Sequence, residues 1–305
     1  MVLVGIVGLG QGASWLVDGA SRLALRFGVS AMVVGLVVVG FGTSMPEFAV
    51  SVRAALVGSG GLSVGNAVGS NIMNLLLVLG VAAVLKPIHV VGGERVLRRD
   101  LIFGIVPALL IMAMAWSGYI SRQVAVLLLV VFTAFILLAL RQAKTENTGR
   151  TVVSGGPMRH LGLIVLGIVV LVVGSEMMVR GGIDLARRFG ISEAVIGLTL
   201  VAFGTSLPEL ATSVAAALKG ESEISIGNVL GSNIFNLGLV VGTAFTISPA
   251  TVPVFVIRQD IPLLILATFI VGKIVVRNGK ISRAEGAMML VLMTAYVAFV
   301  VIRGG

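Results

Sequence analysis

The sequence predicts an all-α polytopic membrane protein: ten transmembrane helices in two inverted five-helix repeats, with broken helices at the candidate site. Three observations lead to this fold class. The chain of 305 residues is 57% hydrophobic and 11% charged, with a mean hydropathy of +1.12, whereas a soluble domain carries about 25% charged residues. A segment of forty residues occurs twice, since 41–80 and 203–242 align without a gap at an offset of 162, with 25 of the 40 positions identical. Each copy carries a glutamate, Glu47 or Glu209, inside an apolar stretch of spanning length. An ionisable group at that depth costs about 2.5–3.5 kcal/mol on insertion scales and is a functional-site hypothesis by default.

A span needs about 20 apolar residues. On that basis the spans fall near 2–24, 30–57, 62–85, 100–117, 121–141, 159–185, 191–219, 224–247, 260–276 and 283–302. The first begins at the amino terminus, where Met1 to Leu9 shows no basic region and cleavage site, so no signal peptide is expected. The second and seventh hold FGTSMPE and FGTSLPE, and the third and eighth hold GNAVGSNIMN and GNVLGSNIFN. Between the fifth and sixth lies the longest polar stretch, 142–158, which divides the chain into 1–141, a linker loop and 159–305. Forty glycines, many inside apolar runs, suit close packing of helices in lipid.

Five spans is an odd number, so the two halves enter the membrane from opposite sides, the inverted arrangement common in secondary transporters. The likeness extends beyond the core: SGYISRQ (117–123) resembles NGKISRA (278–284), and RRD (98–100) resembles RQD (258–260). Fifteen of the 22 Lys and Arg residues lie in or beside the loops after odd-numbered spans, while Arg180, Arg187 and Arg188 fall elsewhere. The excess places the 142–158 loop in the cytoplasm and both termini outside, in a cell inner (plasma) membrane. The net charge of +9 is spread over these short segments, which argues against a nucleic-acid partner. No obligate protein partner is inferred; the lipid bilayer is the expected surround.

In each FGTS(M/L)PE the glycine gives backbone freedom, and the proline removes an N–H and disrupts the preceding turn. Broken backbone at membrane depth is tolerated where it is buried in protein or lines a wet cavity. Ser70 and Asn74, and Ser232 and Asn236, stand at i, i+4 and share one helix face. The assembled groups are all oxygens: two carboxylates, hydroxyls, amides and freed carbonyls. Hard cations bind such sets, and calcium takes six to eight oxygens. Two carboxylates carry a charge that one Ca²⁺ or two Na⁺ neutralise, so two ions can satisfy the site in alternation, as an antiporter requires. With no cysteine and two histidines, disulfides and thiolate or imidazole metal sites are not expected, and neither are cofactors or enzymatic activity.

Blander readings exist. A Gly–Pro pair can be a packing kink, and a lone glutamate can pair with an arginine such as Arg53. The matching of so many polar positions between the copies weighs against both. Asn66, Asn228, Asn71 and Asn233 read as hydrogen bonders at helix junctions, and Glu176, opposite Ser14 in the first half, reads as peripheral.

At these residues the chain resembles the sodium/calcium exchanger family of the cation/Ca²⁺ antiporter superfamily, in a compact prokaryotic form. The resemblance implies Na⁺-driven Ca²⁺ transport by alternating access, with spans 1 and 6 sliding against the rest. It implies that Glu47 and Glu209 are shared carboxylates, that Thr43 and Thr205 offer backbone carbonyls with Ser44 and Ser206 nearby, and that Ser70 and Ser232 are hydroxyl ligands. Asn74 and Asn236 complete the centre, and the carbonyls of Gly40 and Ala202 line outer sodium positions. Several relatives carry Asp at the position of Asn236, and Asn there points to K⁺ independence. A proton-coupled Ca²⁺/cation antiporter, a cation channel and a non-transporting scaffold are the alternatives. The glutamate-bearing GNxxE pattern of the proton-coupled branch is missing, as both copies read GNxxG.

Overall fold

The structure, a computed structural model, describes residues 1–90, 94–145, 155–189 and 202–304. Among them lie seven helices long and apolar enough to cross a membrane, and eight if one bent pair counts as a single span. In chain order the helices are α1 (Val2–Phe27), the bent pair α2 (Ala31–Thr43) and α3 (Met45–Leu56), and α4 (Gly60–Leu85). The first half closes with α5 (Glu94–Met114) and α6 (Arg122–Thr145). Then come α7 (Pro157–Arg188), a helical turn Ala202–Gly204, α8 (Leu207–Lys219), α9 (Ser222–Ile247), α10 (Val256–Asn278) and α11 (Arg283–Gly304). The start of the expected seventh span, 190–201, and loop residues 146–154 lie outside the described residues.

Burial sorts the helices by role. The most apolar stretch of α9 is 94% buried inside the protein and that of α4 72%, against 17% for α11. The two helices carrying GNxxGSNxxN therefore form the centre, packed in one large core with α10 and parts of α5 and α6. Large apolar residues such as Leu3, Val165, Phe269 and Ile302 are exposed on the outer helices, as suits a surface that meets acyl chains.

Helices α1 and α7 pack antiparallel along a seam of glycines at heptad spacing, with Gly5 against Gly174, Gly12 against Gly167 and Gly19 against His160. A Cβ on Gly12 would stand 2.8 Å from Leu171 N and 2.9 Å from Gly167 O. These are backbone atoms that cannot rotate away, so the small residues set the helix separation. Gly12→Leu is expected to cost about 1–3 kcal/mol or more by overpacking, measured as a lower unfolding temperature in detergent. An unchanged midpoint would show that the two helices part freely.

Side chains and short strands brace the molecule at both ends. At one end Arg26 donates to Gly155 O (2.8 Å) and Lys86 to Leu218 O (3.1 Å), while Lys219 donates to Ser14 Oγ (2.8 Å) and Asp18 (2.6 Å). There β1 (Ile88–His89) pairs antiparallel with β4 (Lys280–Ile281). At the other end β2 (Tyr119–Ile120) pairs with β3 (Ala250–Thr251), and Arg122 donates to Thr246 O at 3.0 Å. Arg303 there makes a two-pronged bond to Asp260 at 2.9 and 3.1 Å and stacks on Phe255. The strands β2 and β4 lie in the two related stretches SGYISRQ and NGKISRA, each entered through a left-handed glycine, Gly118 (φ 86) and Gly279 (φ 62).

Candidate functional site

Pro46 has no N–H, and its ring collides with the carbonyl four residues back, so α2 cannot continue. The chain bends by 47° between α2 and α3. Ser44 stands at the bend with φ −81° and ψ 4°, and Glu47 falls in the first turn of the new helix. Glu209 likewise lies in the first turn of α8, after Ser206 and Pro208. Both carboxylates thus sit at the positive ends of helix dipoles. The same interruption leaves Gly204 O without a donor at position 208, and Ser175 on α7 supplies one at 2.7 Å.

The second motif element departs from a plain α-helix. Both copies widen into a π-helical segment, Asn74–Val78 in α4 and Phe235–Val240 in α9, at the last asparagine of the motif. Such segments recur at functional sites because they turn side chains out of regular register. A further π segment, Gly35–Val39, precedes the break in α2.

The groups from the two halves interleave. Ser44 and Ser232 each donate to Glu209 Oε1 at 3.3 Å, and Thr43 donates to Asn228 Oδ1 at 2.9 Å and lies 3.3 Å from Ser232 Oγ. Gly40 O accepts from Ser232 at 3.4 Å. Across from them the hydroxyls of Thr205 and Ser70 lie beside the Glu47 carboxyl, which faces Glu209. Glu47, Glu209, Asn74, Asn236 and Ser232 are all 0% exposed. Asn66 and Asn228 bond Ser51 and Ser213 at 3.0 and 2.9 Å, and each also donates to its own half's glutamate carbonyl at 3.3 Å. Arg53 is exposed, so it does not serve Glu47. Of Ala202 the backbone alone is described, in the turn Ala202–Gly204.

Several of the gathered polar atoms are unpartnered. Among the described residues, both Glu47 carboxyl oxygens, Glu209 Oε2, Asn74 Oδ1, Asn236 Oδ1, Thr205 Oγ1 and Ser206 Oγ are buried without a hydrogen-bond partner. Buried polar groups normally find partners, and a buried carboxylate without one is costly. All of these orphans are oxygens, the donor set of a hard cation. Among the described residues no group of three or more His, Cys, Asp or Glu could hold a metal, so a cation here would be met by two carboxylates plus neutral oxygens. A cavity of about 130 Å³ beside the break is lined by Phe41, Ser44, Met45, Phe48 and Phe235.

Sequence reasoning missed Ser175, because its counterpart at the 162-residue offset is Ala13 and no repeat signal marks it. It also missed the role of Asn228 as acceptor for Thr43 across the halves, since spacing within one copy says nothing of contacts between copies.

The class of protein to which these membrane-capable helices belong follows from comparison with known proteins. Residues 1–141 and 159–302 match the sodium/calcium exchanger protein family. The chain is 32% identical to the sodium/calcium exchanger MaX1 of Methanosarcina acetivorans, over 99% of this chain and 97% of that one. It is 36% identical to the inner membrane protein YrbG of Escherichia coli, over 88% and 86%. A structure of the sodium–calcium exchanger NCX_Mj superposes with a TM-score of 0.85 at 32% identity, covering 97% of this chain and 96% of that one. The chain belongs to the sodium/calcium exchanger family: it is an integral membrane cation/Ca²⁺ exchange transporter and not an enzyme.

Proposed function

We propose that this protein exchanges Na⁺ for Ca²⁺ by alternating access, the ions binding between Glu47 and Glu209 near the membrane midplane. The observation that carries the reading is the pair of fully buried glutamates at helix breaks, with three of their four carboxyl oxygens unpartnered among the described residues. Two carboxylates balance one Ca²⁺ or two Na⁺, so occupancy by either ion offsets the cost of burying the charge. Thr43, Thr205, Ser44, Ser206, Ser70, Ser232, Asn74 and Asn236, with the carbonyls of Gly40 and Ala202, complete the ligand set. Asn236 in place of an acid makes the exchange K⁺-independent.

The halves 1–141 and 159–305 act as inverted five-helix repeats joined by the linker 142–158. Contacts that recur between the copies at a fixed offset support this arrangement. The linker faces the cytoplasm and the termini face outside, following the basic residues, in a bacterial-type inner membrane as the name of YrbG suggests. Movement of more than two Na⁺ per Ca²⁺ would make the cycle respond to voltage, at about 2.3 kcal/mol per charge per 100 mV.

The test is uptake of radiolabelled calcium by Na⁺-loaded proteoliposomes diluted into Na⁺-free buffer at constant pH. Uptake is expected to require internal Na⁺. Uptake indifferent to Na⁺ but driven by a pH gradient would replace this reading with the proton-coupled one. Passive Ca²⁺ flux without counterflow would indicate a channel.

A further inference from the structure

Asn71 and Asn233, one residue after each motif serine, use both ends of their amides across the centre of the molecule. Asn71 Nδ2 donates to Asn233 O at 3.0 Å, and Asn233 Nδ2 donates to Asn71 O at 3.3 Å. Their oxygens accept in turn: Asn71 Oδ1 from Asn236 Nδ2 at 3.0 Å, and Asn233 Oδ1 from Asn74 Nδ2 at 3.1 Å. All four side chains are buried.

The direction of this network follows from chemistry. An amide can be turned over, exchanging its oxygen and nitrogen, unless its neighbours forbid it. A backbone carbonyl can only accept, so the carbonyl of Asn233 fixes the NH₂ of Asn71 towards it. The Asn71 oxygen is then presented to Asn236 and fixes that amide with its nitrogen inward. Asn236 Oδ1 is left facing away, buried and unpartnered among the described residues. Asn236 stands four residues beyond Ser232, whose hydroxyl reaches Glu209. The mirror chain runs from the Asn71 carbonyl through Asn233 to Asn74 Oδ1, four residues beyond Ser70.

We infer that Asn71 and Asn233 are positioning residues: each orients, across the repeat boundary, the amide that presents its oxygen to the ion. The inference rests on reading Asn74 and Asn236 as ion ligands. A flipped Asn71 would set two NH₂ groups and two oxygens against each other, so the orientation is held from both sides. An Asp at 236 has no NH₂ to give Asn71, so the chain's Asn236 and its Asn71 form a matched pair.

A double-mutant cycle tests this on purified full-length protein, reading Ca²⁺ affinity by equilibrium binding of radiolabelled calcium, with the unfolding temperature alongside. Asn236→Ala is expected to weaken Ca²⁺ binding about 10–100-fold and Asn71→Ala about tenfold, the range seen when a group that orients a ligand is lost. The double variant should bind within about twofold of Asn236→Ala alone, because Asn71 acts through Asn236. Affinities that multiply instead, or an Asn71→Ala protein with parental Ca²⁺ affinity, would overturn the inference. Parental affinity in Asn236→Ala would instead remove the ligand reading beneath it. If Asn71→Ala does not fold, the mirror cycle on Asn233 and Asn74 gives the same readout.

Discussion

Replacing Glu209 with glutamine is expected to abolish Na⁺-driven Ca²⁺ uptake while the protein still inserts and folds, and Glu47→Gln is expected to do the same. A unit charge about 4 Å from a cation, at an effective dielectric near 20, contributes about 4 kcal/mol per unit of cation charge. Removing it weakens Ca²⁺ binding about a thousandfold or more. The neutral amide fills the same space, so the fold need not suffer. Among the described residues the Glu47 carboxyl has no hydrogen-bond partner within bonding geometry, whereas Glu209 accepts from Ser44 and Ser232. A melting experiment separates ligand loss from misfolding: the parent should gain about 2.7 kcal/mol at a Ca²⁺ concentration a hundredfold above its Kd. Both variants should melt near the ion-free parent and gain nothing from Ca²⁺. Normal uptake by Glu209→Gln would remove that residue from the centre.

Gly231→Ala is expected to be damaging as well, for a steric reason. An added Cβ would overlap the Leu36 carbonyl oxygen and stand 2.9 Å from Leu36 C and Cα. All three are backbone atoms of the π segment leading to Thr43 and Ser44. The added methyl must push α2 from α9, stretching the contacts of Ser232 with Gly40 and Thr43. We expect a loss of about 1–3 kcal/mol in stability and a fall in Ca²⁺ uptake of about tenfold or more, since small displacements of liganding groups are costly. Gly10→Ala is the control: Gly10 is exposed on α1, and no described atom lies within 4 Å of an added Cβ. It should leave both quantities unchanged, and equal damage from the two substitutions would discredit the steric account.

The polar residues that the structure gathers around Glu47 and Glu209 were legible in the sequence because polar groups in an apolar background are conspicuous and the duplication repeats them. The break was legible from Pro46, whose missing N–H ends a helix wherever it lies. The π segments were not, because a switch from i→i+4 to i→i+5 bonding leaves no compositional trace in an apolar run. The partnership of Thr43 with Asn228, and of Asn71 with Asn236, joins positions more than 160 residues apart. Local periodicity cannot reach so far. The glycine seam was visible as composition, yet which glycines face α7 is settled by the antiparallel crossing.

The bonds of Asn66 to Ser51 and the Glu47 carbonyl, and of Asn228 to Ser213 and the Glu209 carbonyl, are one arrangement built twice. Beside each glutamate one half therefore repeats the other locally, and in the inverted arrangement proposed above the two copies point in opposite directions across the bilayer. Asn66→Ala and Asn228→Ala would remove the same two donated bonds, and Asn228→Ala would in addition remove the bond that Asn228 Oδ1 accepts from Thr43. What their effects on Ca²⁺ entry and exit share belongs to the common bonds, and what differs combines the Thr43 contact with any unevenness between the two faces of the cycle.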